Sequence, residues 1–441
     1  MIEMKSEILS IICIKPSSPT PSHLKIFRLS LLDQLSPTIH GNMTFFYTSN
    51  VKILSNLSQT LQDSLSQTLT LFYPLAGRLQ DAATVDCNDE GVLFIEAQVN
   101  VQLSEFLSQP DFKLIDHLLP STDSETMGLS NGAMLLVQFT SFTCGGMAIS
   151  LSMNHKLADL SALVTFLQSW TNYSHSFHKP VVPDFIGPNL LPARDDFPNM
   201  SASVNISTAK FTLRRFVFSA SKIAELKDRV YERFLQVMKR HPSRVEVVLA
   251  LIWKCAIAAN RSKSGSFKPS ALFQAVNLRK RMTPPVPESA FGNFVWPFMV
   301  IAEEDNKDDL ELHELVIDMR RAFNSFCRDM ADKFKGEEGH LAILGALKER
   351  GEFFKNRKEM TVYKCTSWCK FPLYDTDFGW GKPVWHVSVN KMVSNTIALA
   401  DTRSGDGIEA FITLDDEDMA IFEYNEELLK YATLNPSIAC A

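Results

Sequence analysis

Leu57, Leu61, Leu65, Leu69 and Phe72 recur at the three-to-four-residue spacing of one helix face, and the run meets Pro74. Proline disfavours helical backbone in the residue before it, so the spacing predicts an amphipathic helix ending there. A hairpin pattern follows: Val85-Asp86-Cys87, a turn at Asp89-Glu90-Gly91, then Val92 to Ala97. Met134 to Phe139 and Met147 to Met153 read as further strands. In the second, Ile149, Leu151 and Met153 alternate with Ser150 and Ser152, which predicts one buried and one polar face. The period then changes, with Leu160, Leu163, Val164, Leu167 and Trp170 marking a helix face. His155 therefore falls at a strand-to-helix junction, where a side chain can face a cleft.

Pro180, Pro183, Pro188, Pro192 and Pro198 break periodicity between 180 and 210, as a linker crossing between domains would. Beyond it, Phe211 to Phe218 alternates as a strand, and Ser219 to Arg240 is helical with Ile223, Leu226, Val230 and Phe234 on one side. Ser243, followed three residues later by Glu246, is a capping-box signal that opens a helix through Trp253 to Ala259. Ala271 to Val276 suits a strand, and Leu312, Leu315, Val316, Met319, Phe323 and Phe326 suit another helix. The acidic run 303–309 between them reads as a solvated loop. Val384 to Val389, Thr396 to Ala400 and Ile408 to Leu414 complete the strands, with a turn at Gly405-Asp406-Gly407. Interspersed helices and strands favour a layered α/β architecture. A chain of 441 residues exceeds what one core usually serves. We therefore expect an N-terminal domain over 1–185, a crossover linker over 186–210 and a C-terminal domain over 211–441.

Charge narrows the function. With 44 Lys+Arg against 50 Asp+Glu, the net charge of -6 lacks the positive field of a nucleic-acid binder. Eight cysteines scattered over this length suit free thiols in a reducing compartment, and Cys365 and Cys369 lack a second pair to complete a zinc set, so no metal is expected. Ile8 to Ile14 runs into Lys15-Pro16 without a cleavage site, and Val245 to Ala259 is too short to span a bilayer. A cytoplasmic protein with no membrane partner is the expectation.

Two patterns carry chemistry: His155-x-x-x-Asp159, and Asp377-Phe378-Gly379-Trp380-Gly381 far downstream. A histidine held toward a cleft can take a proton from a hydroxyl as that oxygen attacks an electrophile. Asp159 could orient the ring, brace the local backbone, or cap the following helix as an ordinary structural residue. In the second run, Gly379 and Gly381 permit backbone conformations closed to other residues while Phe378 and Trp380 anchor the loop; a purely structural turn would look the same. A serine hydrolase is disfavoured because no Gly-x-Ser-x-Gly elbow occurs. Cysteine chemistry would need a thiol beside His155, with Cys144 nearest in sequence.

Taken in order, KPSSPTP (15–21), Leu32-Asp33-Gln34, FYPLAGR (72–78), VDCND (85–89), His155 to Asp159, QAVNLR (274–279), Ser367-Trp368-Cys369, DFGWGKP (377–383) and the run 401–410 make the chain resemble the plant BAHD acyltransferases. The branch it is most similar to acylates alkaloids. The resemblance implies two similar-sized domains, each a mixed β-sheet with helices, and a solvent channel at their interface entered by coenzyme A from one face and the acceptor from the other. His155 would lie in mid-channel as general base, Asp159 would support the motif, and Asp377 would pair with Arg279 away from the chemistry, although that aspartate is sometimes described as a second proton acceptor.

The reaction so implied is acetyl transfer from acetyl-CoA to a hydroxyl of a specialised metabolite such as a monoterpene indole alkaloid, in a ternary complex. Malonyl-transferring members often carry Tyr where Asp377 stands, so the aspartate favours acetyl over a malonyl or aromatic donor. A non-catalytic ligand-binding member of the fold is the competing reading. Acyl-CoA would be a co-substrate rather than a resident cofactor, the second partner a small-molecule alcohol, and the protein a monomer. Ser243 and Arg244 at a helix N-terminus, with Lys280 and Arg281, are candidates for the coenzyme A phosphates; ordinary surface charge is the alternative. Backbone N–H groups or the Trp380 indole are candidates for the oxyanion.

Overall fold

The computed structural model describes residues 3–48, 56–120, 132–175, 179–195, 210–266, 268–303, 310–357, 359–389 and 394–438. All but the first residue of the acidic run 303–309, and residues 196–209 of the expected linker, lie outside the described residues.

Two open mixed sheets organise the molecule. The first has six strands, in the order Ser6–Ile14, Val92–Val99, Leu135–Phe142, Met147–Asn154, His40–Tyr47 and Trp385–Val387. The second has seven: Val295–Ala302, Ser270–Asn277, Thr361–Ser367, Thr396–Asp401, Ile408–Asp415, Phe211–Phe218 and Thr433–Leu434. A small three-stranded sheet joins Ile26–Arg28, Thr84–Asp86 and Arg78–Leu79. The expected layered α/β organisation is thus present, and the five helices read from periodicity lie as expected, whereas the helix Gly336–Lys355 was not among them. Leu57–Leu71 and Leu160–Ser174 pack their apolar faces on the first sheet, while Ala220–Met238, Arg244–Ser264 and Leu312–Asp329 cover the second. Ser243 and Glu246 form the expected capping box.

Three expectations need correction. The run 211–441 is not confined to the second sheet, because Trp385–Val387 pairs with Thr44 to Phe46 and extends the first. Its return is anchored by buried polar contacts: Glu409 accepts from Arg215 Nε at 2.7 Å and from Trp385 Nε1 at 3.1 Å. Next, Val85 and Val92 do not open a hairpin. Thr84–Asp86 belongs to the small sheet, whereas Val92–Val99 pairs with Ser6–Ile14 and Leu135–Phe142. Apolar alternation specifies a strand but not its partner. Finally, Ser150 and Ser152 do not face water. That side of the first sheet meets the second across a shared core in which Phe46, Ala148 and Trp385 join Ala400 and Phe411. Thr44 and Ser150 satisfy one another there, with their hydroxyl oxygens 2.8 Å apart.

Candidate active site

His155 follows directly on Met147–Asn154, and both of its main-chain polar groups are held. Its N–H donates to Ile39 O at 2.8 Å, and its carbonyl accepts from Asn293 Nδ2 at 2.8 Å. The turn after it closes through Leu157 N to Asn154 O, and Lys156 N donates to Asn154 Oδ1. Asp159 then starts the helix, its Oδ1 accepting from Ala162 N at 2.9 Å. Strand end, turn and capped helix together fix where the imidazole points.

It points into a cavity of about 360 Å³ between the two sheets. Met43, Met153, Leu163 and Ala158 line it from the first sheet and its helix; Ala275, Thr366, Ala398 and Phe411 line it from the second, with Trp368 and Phe371 alongside. The walls are mostly apolar. Lys364 also lines them, and burial pulls its ammonium pKa below the ordinary lysine value. Neither ring nitrogen of His155 has a hydrogen-bond partner among the described residues, and Nδ1 is buried. Among the described residues, no side chain therefore competes with a substrate hydroxyl for this imidazole.

Asp159 is not aimed at the ring. Its carboxylate forms a two-pronged pair with Arg279: Nη1 donates to Oδ2 at 2.7 Å and Nη2 to Oδ1 at 3.0 Å, both side chains buried. Phe294 N donates to the same carboxylate at 3.0 Å. Arg279 also donates to the carbonyls of Ala290 and Gly292 and lies over the Phe294 ring. Every charge in this cluster is compensated, which a dry interior demands. The expected partnership of Arg279 with Asp377 is therefore wrong, because Asp159 occupies the guanidinium.

Asp377 instead folds its own loop. Its Oδ1 accepts from Gly379 N at 2.8 Å and Gly381 N at 2.9 Å, and Gly379 and Gly381 take φ of 109° and 113°, which favour glycine. Trp380 is buried in the core under the first sheet, stacked on Phe378 and edge-on to Tyr47. None of 377–381 lines the His155 cavity. The Trp380 indole is accordingly no oxyanion donor there.

The four candidate phosphate contacts also lie off that cavity. Ser243 is spent on the capping box, and Arg244 donates to Gly405 O, Asp406 O and Asp401 Oδ1, pinning the 402–407 turn to the helix start. Lys280 is exposed and pairs with Glu288 at 2.7 Å; Arg281 donates to Asn277 O and packs over Phe323.

Periodicity did not single out Asp33 and Asn293. Asp33 is buried and accepts from Ser30 N and Oγ and from Asn293 N and Nδ2. Burial pushes its pKa up to about 6 against those bonds. The run Leu32-Asp33-Gln34 was visible, but its partner lies 260 positions away.

A family model described as the Transferase family matches residues 4–429. Akuammiline synthase 1 of Alstonia scholaris is 39% identical, covering 96% of this chain and 96% of its own. A 17,18-epoxy-17-hydroxycur-19-ene N-malonyltransferase of Strychnos nux-vomica is 36% identical over 98% of this chain and 92% of its own, and stemmadenine O-acetyltransferase of Catharanthus roseus 36% over 94% and 95%. The crystal structure of vinorine synthase superposes with a TM-score of 0.82 at 33% identity, covering 98% of this chain and 99% of that one.

Proposed function

The chain belongs to the Transferase family, as a BAHD acyltransferase of the alkaloid-acylating branch, and on that premise we propose that it moves an acetyl group from acetyl-CoA to a hydroxyl of a plant specialised metabolite such as a monoterpene indole alkaloid. One observation carries the mechanism: His155 lines an inter-sheet cavity with its ring nitrogens uncommitted. In the ternary complex the imidazole accepts the acceptor hydroxyl proton as the oxygen attacks the thioester carbonyl. The tetrahedral oxyanion collapses, the C–S bond breaks, and coenzyme A leaves as thiolate. A thiol is far more acidic than an alcohol, so sulfur departs with little acid assistance. Asp159 supports the motif through Arg279 and takes no proton.

The mostly apolar walls suit a polycyclic acceptor, and the approximate 360 Å³ falls in the range of small-molecule sites. Arg244, Lys280 and Arg281, with the Ser243 hydroxyl, are proposed for the coenzyme A phosphates; the support is the positive charge of the three cations and the exposure of Ser243 and Lys280, against the internal contacts that already hold Ser243, Arg244 and Arg281. The protein is taken to work as a cytoplasmic monomer; no helix among the described residues is long and apolar enough to cross a membrane.

Malonyl transfer is the second reading, favoured by the malonyltransferase among the relatives and by the Lys364 ammonium in the cavity wall. Mass-spectrometric screening of an alcohol library against acetyl-, malonyl- and benzoyl-CoA separates the two. A dominant acetyl adduct supports the first reading; a dominant malonyl adduct replaces it.

A further inference from the structure

Among the described residues no carboxylate or carbonyl steadies the His155 imidazole: Nδ1 is buried without a partner there, and Asp159 is turned away onto Arg279. Where the usual ring-to-carboxylate bond is absent, orientation of the base must come from its main chain and from packing. The main chain is held on two sides, by Ile39 O on the N–H and by Asn293 on the carbonyl.

Asn293 is buried, 2% exposed, and comes from the loop that precedes Val295–Ala302. Its amide nitrogen bridges two segments distant in sequence: Nδ2 donates to His155 O at 2.8 Å and to Asp33 Oδ1 at 2.8 Å. Its main-chain N–H donates to the same Asp33 oxygen at 2.6 Å. Asp33 is itself fixed by the capping box it forms with Ser30 at the start of Leu31–Leu35. Two residues earlier the loop carries the Phe291 ring into the core below the first sheet, and Phe294 N reaches Asp159. The loop 290–294 thus meets both ends of the histidine motif.

Gly292 shows how closely the parts fit. Its φ is +132°, and a Cβ there would stand 3.4 Å from both carboxylate oxygens of Asp33. Only glycine lets the chain pass the carboxylate and still turn Asn293 toward it.

We propose that Asn293 is a positioning residue, which clamps the main chain of His155 to the buried Asp33 carboxylate and so sets the direction of the base in the cavity. This rests on His155 being the base. The clamp acts on geometry at the reacting end, not on substrate affinity, and a misplacement of about 1 Å at a reacting group costs about 100-fold in rate. Asn293→Ala deletes both side-chain bonds but keeps the main-chain bond to Asp33, so the loop retains an anchor.

The test measures kcat and KM for acetyl-CoA and for the first alcohol turned over in the library screen. The proteins are wild type, Asn293→Ala, Asn293→Ser, Asn293→Asp and His155→Ala, each checked for folding by circular dichroism. We expect kcat to fall about 10- to 100-fold in Asn293→Ala, with both KM values within about threefold. Asn293→Asp, equal in shape but unable to donate to the carbonyl, should be no better. Asn293→Ser, which keeps one donor, should lie between and covers the case in which the alanine variant does not fold. Near-wild-type kcat in Asn293→Ala beside an inactive His155→Ala overturns the clamp alone. Full activity in His155→Ala overturns the base and the clamp together. Loss of fold in both Asn293→Ala and Asn293→Ser, or a rise in KM at constant kcat, also overturns the clamp, leaving Asn293 a structural or substrate-binding residue.

Discussion

Replacing Asp159 by Asn should destabilise the protein severely. Arg279 is fully buried, and among the described residues its guanidinium faces the Asp159 carboxylate, neutral carbonyl oxygens and the Phe294 ring. Removing the one counter-charge strands a cation in a dry core, a loss of about 3–5 kcal/mol. That is a large share of the roughly 5–15 kcal/mol that holds most domains together. Asn keeps an oxygen for Ala162 N, so the helix cap survives; Asp159→Ala loses that as well and should cost about 1 kcal/mol more. Arg279→Met removes the cation, so the double variant Asp159→Asn/Arg279→Met should be less destabilised than the two single losses added. A coupling energy of about 2 kcal/mol or more is expected from denaturant unfolding of all four proteins. Additive losses, or a single-variant cost below about 1 kcal/mol, would refute the buried pair as the support of the histidine motif.

Other perturbations give separate checks. Asp377→Asn, which retains an oxygen for Gly379 N and Gly381 N, should keep kcat within about threefold, because this side chain acts as a loop cap worth on the order of 1 kcal/mol; a loss above 100-fold in a folded variant would restore it as a proton acceptor. Gly292→Ala should cost about 1–3 kcal/mol of stability from its positive φ and lower kcat with it, read by thermal unfolding and initial rates. Asp33, raised to about 6, binds its proton more tightly folded than unfolded, so its share of stability falls as pH rises from about 4 to about 6 and is constant above. Relative to Asp33→Asn, wild type should lose up to about 3 kcal/mol across that window; a gap that is flat or widens the other way contradicts the burial argument.

Much of this site could be read from residue order alone. The alternation through Met153 and the new period from Leu160 put His155 at its junction, and Ser243 with Glu246 announced a helix start that the structure shows as drawn. Partners across long separations were less visible. Arg279 could meet either aspartate by type and charge, and only folding brings Asp159, 120 positions away, against it. His40–Tyr47 escaped notice because Gly41, Asn42 and Thr44 interrupt its apolar run, and Val295–Ala302 because Pro297 sits within it. Asn293 carries no periodic signal: its role depends on a carboxylate and a carbonyl contributed by two other segments.

The most direct measurement is acyl transfer by His155→Ala, made with saturating acetyl-CoA and alcohol and confirmed folded. Loss of the base should lower kcat by about 100- to 10,000-fold while acetyl-CoA still binds. Transfer at the wild-type rate would contradict the central claim.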